Sequence, residues 1–562
     1  MYFKNVLIFM TLLVTLSQSQ STIDYCQLLS NSLKFYKAQR AGSLPDNDIP
    51  WRNNSVLQDG QDVGINLSGG YFDAGDYIKL AFPMAFTMTT LAWTYIDNED
   101  KIKTTCQLQS SYLSVLKQGT DWLIAAHPSD NVFYTQVSDD GEHNVWNNPW
   151  EIDQAARKSY KITTAAPGTD MAMEAAAALA ATSIVYKSID PTYSATCLAH
   201  AKSLYNFGKT YKGKYSDSLP ERKLYPSSGY DDEMVWASAW MYIATAEQTY
   251  ATDATANFNA YLKSKSFTDL WSAVYSWDSK YAPAAVLMYK KVTNLGLDYT
   301  NIINQITQTY TTASKQSNGI ISNSGWKWGN NRYAMGGAFL MSMIGGTAAN
   351  AFAEQQLTSV LGKSSTNSVS FMIGYNNGPV NPHHRSSHKP TGKDINTPVN
   401  NVNLLVGGLV GGPSLEGSWV DSRTNYENNE PALDYNAGFT GLLARFVSQP
   451  SASTTTSTPT STTSSTTTNT PTGTTSSTTT NTPTSTTSST TTNTPTSTTS
   501  STTTNTPTST TSSTLTTSTS STASSTTTDG EEDSSQLGSS STVSVNLFVS
   551  LLVLLVPTFL LI

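Results

Sequence analysis

The sequence predicts one large all-α domain followed by a disordered Ser/Thr-rich stalk. Three observations carry this. Apolar residues recur at helical spacing throughout residues 22–450, while two-residue alternation is scarce. All 33 Lys and Arg lie before residue 451, and so do all 12 Trp. From 451 to 528 the chain is almost entirely Ser, Thr and Pro, a composition that buries no core.

From the N-terminus, residues 1–20 read as a signal peptide. Lys4 gives a short basic start, Val6 to Leu16 is apolar, and a polar exit follows. An uncleaved membrane anchor is the other reading. Two glycosylation tripeptides, Asn53-Asn54-Ser55 and Asn66-Leu67-Ser68, suit a secreted chain. Residues 21–450 are the body. Helices are predicted near 23–39, 80–97, 108–126, 168–188, 193–210, 232–250, 280–293, 298–314, 332–347, 349–361 and 434–447. The stretch Met171–Ala181 is rich in the best helix former. Long loops at 41–79, 127–168, 212–231 and 362–433 are where sites tend to sit. Three cysteines, Cys26, Cys106 and Cys197, allow at most one bridge and leave its partners open.

Beyond the body, Pro459, Pro471, Pro483, Pro495 and Pro507 mark a unit repeating every 12 residues. No apolar residue repeats with it, so stacked units would bury nothing and this is no solenoid. Residues 451–528 fit a mucin-like stalk, or a bare linker if no sugars are attached. In residues 529–562, small polar residues precede an apolar run from Val543 to Ile562 with no charge after it. That is the pattern of a glycolipid (GPI) anchor signal, with a spanning helix as the alternative. Either way the body is expected outside the cell, on its surface. The net charge of −8 and pI near 5.3 exclude a basic face for nucleic acid.

Three clusters could carry chemistry. Asp73-Ala74-Gly75-Asp76 sets two carboxylates three residues apart around small residues that let a ligand approach. One could deprotonate water while the other orients it; a capped turn or a calcium loop is the bland alternative. The loop Trp419–Gly438 sets four acids among aromatic rings, where a glutamate against apolar rings would keep its proton near neutral pH. A helix N-terminus would also favour acids there. His383, His384 and His388 surround Arg385, which would repel a metal ion and suits sugar hydroxyls.

Together these segments resemble the family 9 glycoside hydrolases, endo-β-1,4-glucanases (cellulases). Asp73–Asp76 matches, with Phe35–Gly42 and Ile49–Arg52 upstream and Ala81–Phe86 after it. Trp419, Asp421, Tyr426, Glu430, Ala432, Asn436 and Ala437 match the family's C-terminal signature, and His383-His384-Arg385 ends another. The latter departs upstream, where Gly374–Pro382 is about one residue short and lacks a usual glycine. The resemblance covers roughly residues 23–448.

What the resemblance implies is an (α/α)6 barrel that cleaves β-1,4-glucan by an inverting, two-carboxylate mechanism. Asp76 would be the general base, Asp73 would help hold the water, and Glu430 would be the general acid. The Asp76 and Glu430 carboxylates are expected about 6.5–9.5 Å apart. His383, Arg385 and Asp421 would contact sugar or position the acid, and Tyr435 would face the cleft. Trp236 and Trp328 match family stacking or cleft positions. His143 and Trp146 resemble another such pair, where the family usually has adjacent Trp. Ser228, Gly229, Asp232, Glu233 and Asp278 match a structural calcium site. No cofactor is required for the chemistry, and a monomer acting on polysaccharide is expected. The alternative is a non-catalytic surface protein that binds glucan or adheres to walls.

Overall fold

In a computed structural model the described residues are 23–448, apart from 46–47, 220–223, 263–264 and 293–298. The signal segment, stalk and C-terminal tail lie outside the described residues. Among the described residues no helix is long and apolar enough to cross a membrane.

Twelve helices longer than ten residues appear among the described residues. They are α1 (Tyr25–Gln39), α2 (Ala81–Asp100), α3 (Gln109–Ala125), α4 (Thr169–Tyr186), α5 (Pro191–Thr210) and α6 (Asp231–Thr245). Then follow α7 (Gln248–Leu262), α8 (Tyr281–Lys291), α9 (Tyr299–Thr311), α10 (Asn330–Ile344), α11 (Thr347–Val360) and α12 (Leu433–Phe446). The even-numbered helices pack each on the next, and α12 returns to α2. This closes an inner ring. Each odd-numbered helix lies against an inner neighbour. The architecture is an (α/α)6 barrel.

Residue choice separates the two rings. Every residue of α4 except Ile184 is buried, so no polar face is needed, and the alanines Ala175–Ala178 fit between neighbours on all sides. The outer helix α9 buries only a stripe of Ile302, Ile303, Ile306 and Tyr310. Between α10 and α12 the backbones nearly touch. A Cβ on Gly438 would lie 2.8 Å from the Met335 carbonyl oxygen.

Trp93 of α2, Trp236 and Trp240 of α6, Phe339 of α10 and Tyr275 fill the interior, with ring centroids 5.5 to 6.1 Å apart. Trp236, expected at the cleft, is therefore a core residue. Its ring is fully buried in this cluster and offers no face to sugar.

The helix predicted over 232–250 is two helices. Ala246 adopts a left-handed conformation (φ 60°) after α6, and α7 starts at Gln248. No Gly or Pro marks the break; the Ala246 N–H instead closes onto the Tyr242 carbonyl. A small antiparallel sheet also forms: β1 (Lys79–Leu80), β2 (Phe133–Val137) and β3 (Ser159–Ile162), in that order. It ties the loop before α2 to the loop before α4.

Cys26 at the start of α1 bonds Cys106, which follows α2, and Cys197 is free and buried. The bridge closes a loop with a sequence separation of 80 residues. Replacing both cysteines by Ala is expected to cost about 2–4 kcal/mol. Thermal unfolding should then begin several degrees lower; an unchanged midpoint would mean the bridge does not constrain the unfolded chain.

Candidate active site

Each loop that carries a candidate residue leads into an inner helix, so the site forms at the end of the barrel where the inner helices begin. Gly75 is the crossing point. Its N–H donates to Glu430 Oε1 at 2.9 Å, and its carbonyl accepts the Arg385 N–H at 2.9 Å. Beside it, the Asp73 carbonyl accepts the Leu433 N–H at 2.9 Å, and the Asn429 carbonyl accepts the His383 N–H at 3.0 Å. A Cβ on Gly75 would fall 2.0 Å from the His383 carbonyl oxygen, so only glycine lets the three segments meet. From α1, Gln39 donates to the Ala74 carbonyl at 2.7 Å and pairs with His384 Nε2 at 2.7 Å.

Asp73, Asp76, Glu430, Tyr225, Trp328 and Tyr435 line one cavity of about 330 Å³. The three carboxyls there differ in charge state because their surroundings differ. Burial and the nearby Asp76 charge push Glu430 up to about 8, against the pull of the Gly75 N–H. Burial opposes ionisation of Asp76 too, but the His143 hydrogen bond and the Arg385 charge outweigh it and hold Asp76 below the usual carboxylate range. His143 Nε2 lies 2.8 Å from Asp76 Oδ2, and the Ile78 N–H donates to Oδ1 at 3.0 Å. That contact in turn raises His143 above its ordinary value. Burial and the Asp434 charge push Asp73 well up, although the Tyr225 hydroxyl donates to its Oδ2 at 2.6 Å. Asp73 Oδ1 is buried without a protein partner.

The histidines divide. His383 Nδ1 lies 2.7 Å from the Arg423 carbonyl, to which it donates. Burial holds His383 down at about 4 and His384 at about 3, so both rings are neutral near pH 7. His388 accepts the Trp146 indole N–H at 2.6 Å and sits behind the site.

Several expected contact residues support the cleft without reaching into it. Arg385 is buried, lies over the Trp146 ring at 4.6 Å, and donates to the Val145 carbonyl at 3.1 Å. Trp146 is itself buried. These two are packed under the His143 loop, so neither is a free sugar platform. Asp421 accepts the Val380 N–H at 2.9 Å and the Asn429 side-chain amide at 2.9 Å. It braces the residue before Glu430. Trp328 is 45 % exposed beside Tyr426, which is 46 % exposed, so their rings offer stacking faces. Tyr435 is a buried cleft wall.

Two cleft residues were not legible in the sequence. Tyr225 lies in a loop that only its length singled out. Arg332, which pairs with Asp434 at 3.2 Å and lies over the Tyr435 ring, follows Trp328 by four positions in a segment read for its tryptophan alone.

The calcium candidates gather at one turn. The Ser228 N–H donates to Asp278 Oδ1 at 2.8 Å, and the Lys280 N–H donates to Asp232 Oδ2 at 2.8 Å. Ser227 hydrogen-bonds the Gly229 carbonyl. Glu233 Oε1 takes the buried Lys280 ammonium at 2.7 Å. Its Oε2 is buried with no protein partner, as a bound cation would leave it. Among the described residues no three His, Cys, Asp or Glu side chains converge as a metal site, so backbone and hydroxyl oxygens would have to complete one.

Similarity to known proteins runs through this same region. The family model described as glycosyl hydrolase family 9 matches residues 25–443. An endoglucanase of Dictyostelium discoideum is 46 % identical over 452 residues, covering 76 % of this chain and 62 % of the relative. Endoglucanase B of Cellulomonas fimi is 37 % identical, covering 80 % of this chain and 44 % of the relative. The chain thus spans less than two thirds of the length of these two relatives. Among solved structures, the endoglucanase of the termite Nasutitermes takasagoensis superposes with a TM-score of 0.70 at 40 % identity, covering 76 % of this chain and 99 % of that one. The cellulase Cel9M of C. cellulolyticum in complex with cellobiose gives 0.69 at 30 % identity, covering 76 % and 99 %.

The Glu430 environment has a direct spectroscopic consequence. One component of the protonated-carboxyl infrared signal at pH 7 should be lost in Glu430→Gln, and in the parent that component should titrate with a midpoint of about 8. A Glu430 already ionised at pH 6 would contradict this account of the pocket.

Proposed function

The chain belongs to glycosyl hydrolase family 9, and we propose that it hydrolyses internal β-1,4-glucosidic bonds of cellulose or a related β-glucan with inversion at the anomeric carbon. The observation that carries the reading is the split between two carboxyls in one cavity. Glu430 keeps its proton near neutral pH, and Asp76 is held ionised. The names of the similar proteins, endoglucanases and a cellulase holding cellobiose, favour this substrate class.

In the proposed reaction a water attacks the anomeric carbon and gives its proton to Asp76. The glycosidic C–O bond breaks, and the leaving oxygen takes the Glu430 proton. Asp76 ends protonated and Glu430 ionised, and exchange with solvent restores both. Asp73 Oδ1, buried and without a protein partner, is the oxygen suited to hold the water. Tyr225 fixes the other oxygen of that carboxyl. Trp328 and Tyr426 would stack on sugar rings, burying apolar area while hydroxyls stay paired. His383, neutral, would offer Nε2 to a sugar hydroxyl.

The proposal extends to the setting. The signal segment, stalk and anchor signal read in the sequence would leave the enzyme outside the cell on a lipid. A structural calcium would be held by Ser228, Gly229, Asp232, Glu233 and Asp278, supported by the unpartnered Glu233 Oε2. The ion would neutralise clustered carboxylates and fix the turn; it takes no part in the chemistry.

Asp76→Asn and Glu430→Gln should each lower kcat on a soluble β-1,4-glucan by about 100- to 10,000-fold. The first product should carry the α-anomer, whereas a β-anomer would overturn inversion. The rate should fall as pH rises through about 8, where Glu430 loses its proton, and should persist on the acid side below the ordinary carboxylate range. Chelation by EGTA should lower the thermal midpoint and added calcium should restore it; an unchanged midpoint removes the ion.

A further inference from the structure

Between β2 and β3 the chain makes an excursion over residues 138–158, its neck closed by the Ser138 N–H donating to the Lys158 carbonyl at 2.8 Å. The outgoing arm carries Glu142 and His143, and the returning arm carries Arg157. The proposed reaction uses His143 and leaves Arg157 without a role. Yet the Arg157 guanidinium is buried and every one of its nitrogens is engaged. Nη1 donates to Glu142 Oε1 at 2.6 Å, one residue before His143. Nη2 donates to the Tyr77 carbonyl at 2.9 Å, one residue after Asp76. Nε and Nη2 together fork onto Asp59 at 2.7 and 3.1 Å. Asp59 also pairs with Lys79 at 2.8 Å, with both side chains fully buried.

We propose that Arg157 is the positioning residue of the general base: its guanidinium grips the neighbours of both His143 and Asp76 and so holds the His143–Asp76 contact in register. This rests on the assignment of Asp76 as the base. The fork on Asp59 fixes the plane of the guanidinium, and that plane dictates where Glu142 and the Tyr77 carbonyl must lie. Only a planar group with several donors can serve three partners this way; a lysine ammonium in the same place would lose the fork. Arg385 steadies the excursion from the other side, donating to the Val145 carbonyl at 3.1 Å and to the His143 carbonyl at 3.4 Å, but it hydrogen-bonds neither Glu142 nor Tyr77, so the Asp76 side of the contact is left to Arg157. The 2.8 Å contact from His143 is made by a side chain that is 48 % exposed, so packing alone does not hold it.

The test uses the full chain on a soluble β-1,4-glucan, with folding checked by circular dichroism and thermal midpoint. Because Arg157→Met strips a buried carboxylate of its partner and can unfold the body, Glu142→Ala is the primary variant, with Glu142→Gln and Arg157→Lys beside it. Glu142→Ala should lower kcat about 10- to 100-fold, the loss expected from a small misplacement of a reacting group, while KM moves less than about twofold. Glu142→Gln keeps an acceptor for the guanidinium and should recover most of that loss, whereas Arg157→Lys should not reach parent activity.

Two further readouts separate positioning from plain support. The groups facing Asp76 are His143, Arg385, Asp73, Glu430, Glu142 and the neutral rings of His383 and His384. With the His143 contact loosened, Asp76 loses its largest ionising partner, so the acid limb of kcat/KM should move up in pH, toward that of His143→Ala. In NMR, the His143 ring should titrate lower in Glu142→Ala than in the parent, without any need for turnover. A folded Glu142→Ala enzyme with parent kcat, acid limb and His143 titration overturns the inference. An active Asp76→Asn enzyme would instead overturn the assignment of the base, with the His143 titration still deciding whether Arg157 sets the contact.

Discussion

The backbone of Gly75 meets the His383 carbonyl at a distance no side chain can share, and the rest of the site follows from that approach. It brings the loop before α2 and two segments of the loop before α12, one with His383 and one with Glu430, into one hydrogen-bonded knot. Inside the knot the carboxyls are buried and feel each other's charge. Glu430 is driven to retain a proton by the burial that the close approach creates, while Asp76 escapes the same fate only because His143 and Arg385 face it. One steric constraint thus places a protonated and an ionised carboxyl in the same cavity. A methyl group at Gly75 would separate the loops and undo both charge states together.

The barrel beneath makes such a knot tolerable. Inner helices buried on all sides, filled by alanines and a cluster of Trp rings, form a rigid floor. On it the buried ions are handled in pairs. Lys280 is matched by Glu174 and Glu233, Arg332 by Asp434, and Arg157 with Lys79 by Asp59 and Glu142. Each set offsets its own desolvation with short contacts, since a lone buried charge would be strongly destabilising.

Much of this was legible in the chain because the signals are local. Helical spacing located eleven of the long helices, and Asp73, Asp76 and Glu430 stood out by residue type and setting. What stayed hidden depends on distant partners. The start of α7 follows a left-handed alanine that carries no sequence mark. Trp236 matched a cleft position but turns into the core, because the side of α6 it occupies faces Trp93 and Tyr275. Trp146 and Arg385 read as sugar contacts, yet they stack on each other beneath the His143 loop. Tyr225 and Arg157 matter only for what folding places opposite them. The bridge between Cys26 and Cys106 could not be chosen over its alternatives until α1 was seen beside the end of α2.

The disulfide also bears on mechanics. The last described helix, α12, ends with Phe446 against Tyr25, ring centroids 6.1 Å apart, and Lys101 hydrogen-bonds the Arg445 carbonyl. Tyr25 adjoins Cys26, and Lys101 lies shortly before Cys106. A pulling force applied to the chain past residue 448 therefore enters the body where its first helix and the segment after α2 are covalently joined. The load is shared between two elements at the point of entry, as a clamp relieves strain on a cable, before it can peel α12 from the ring and carry Glu430 away with it.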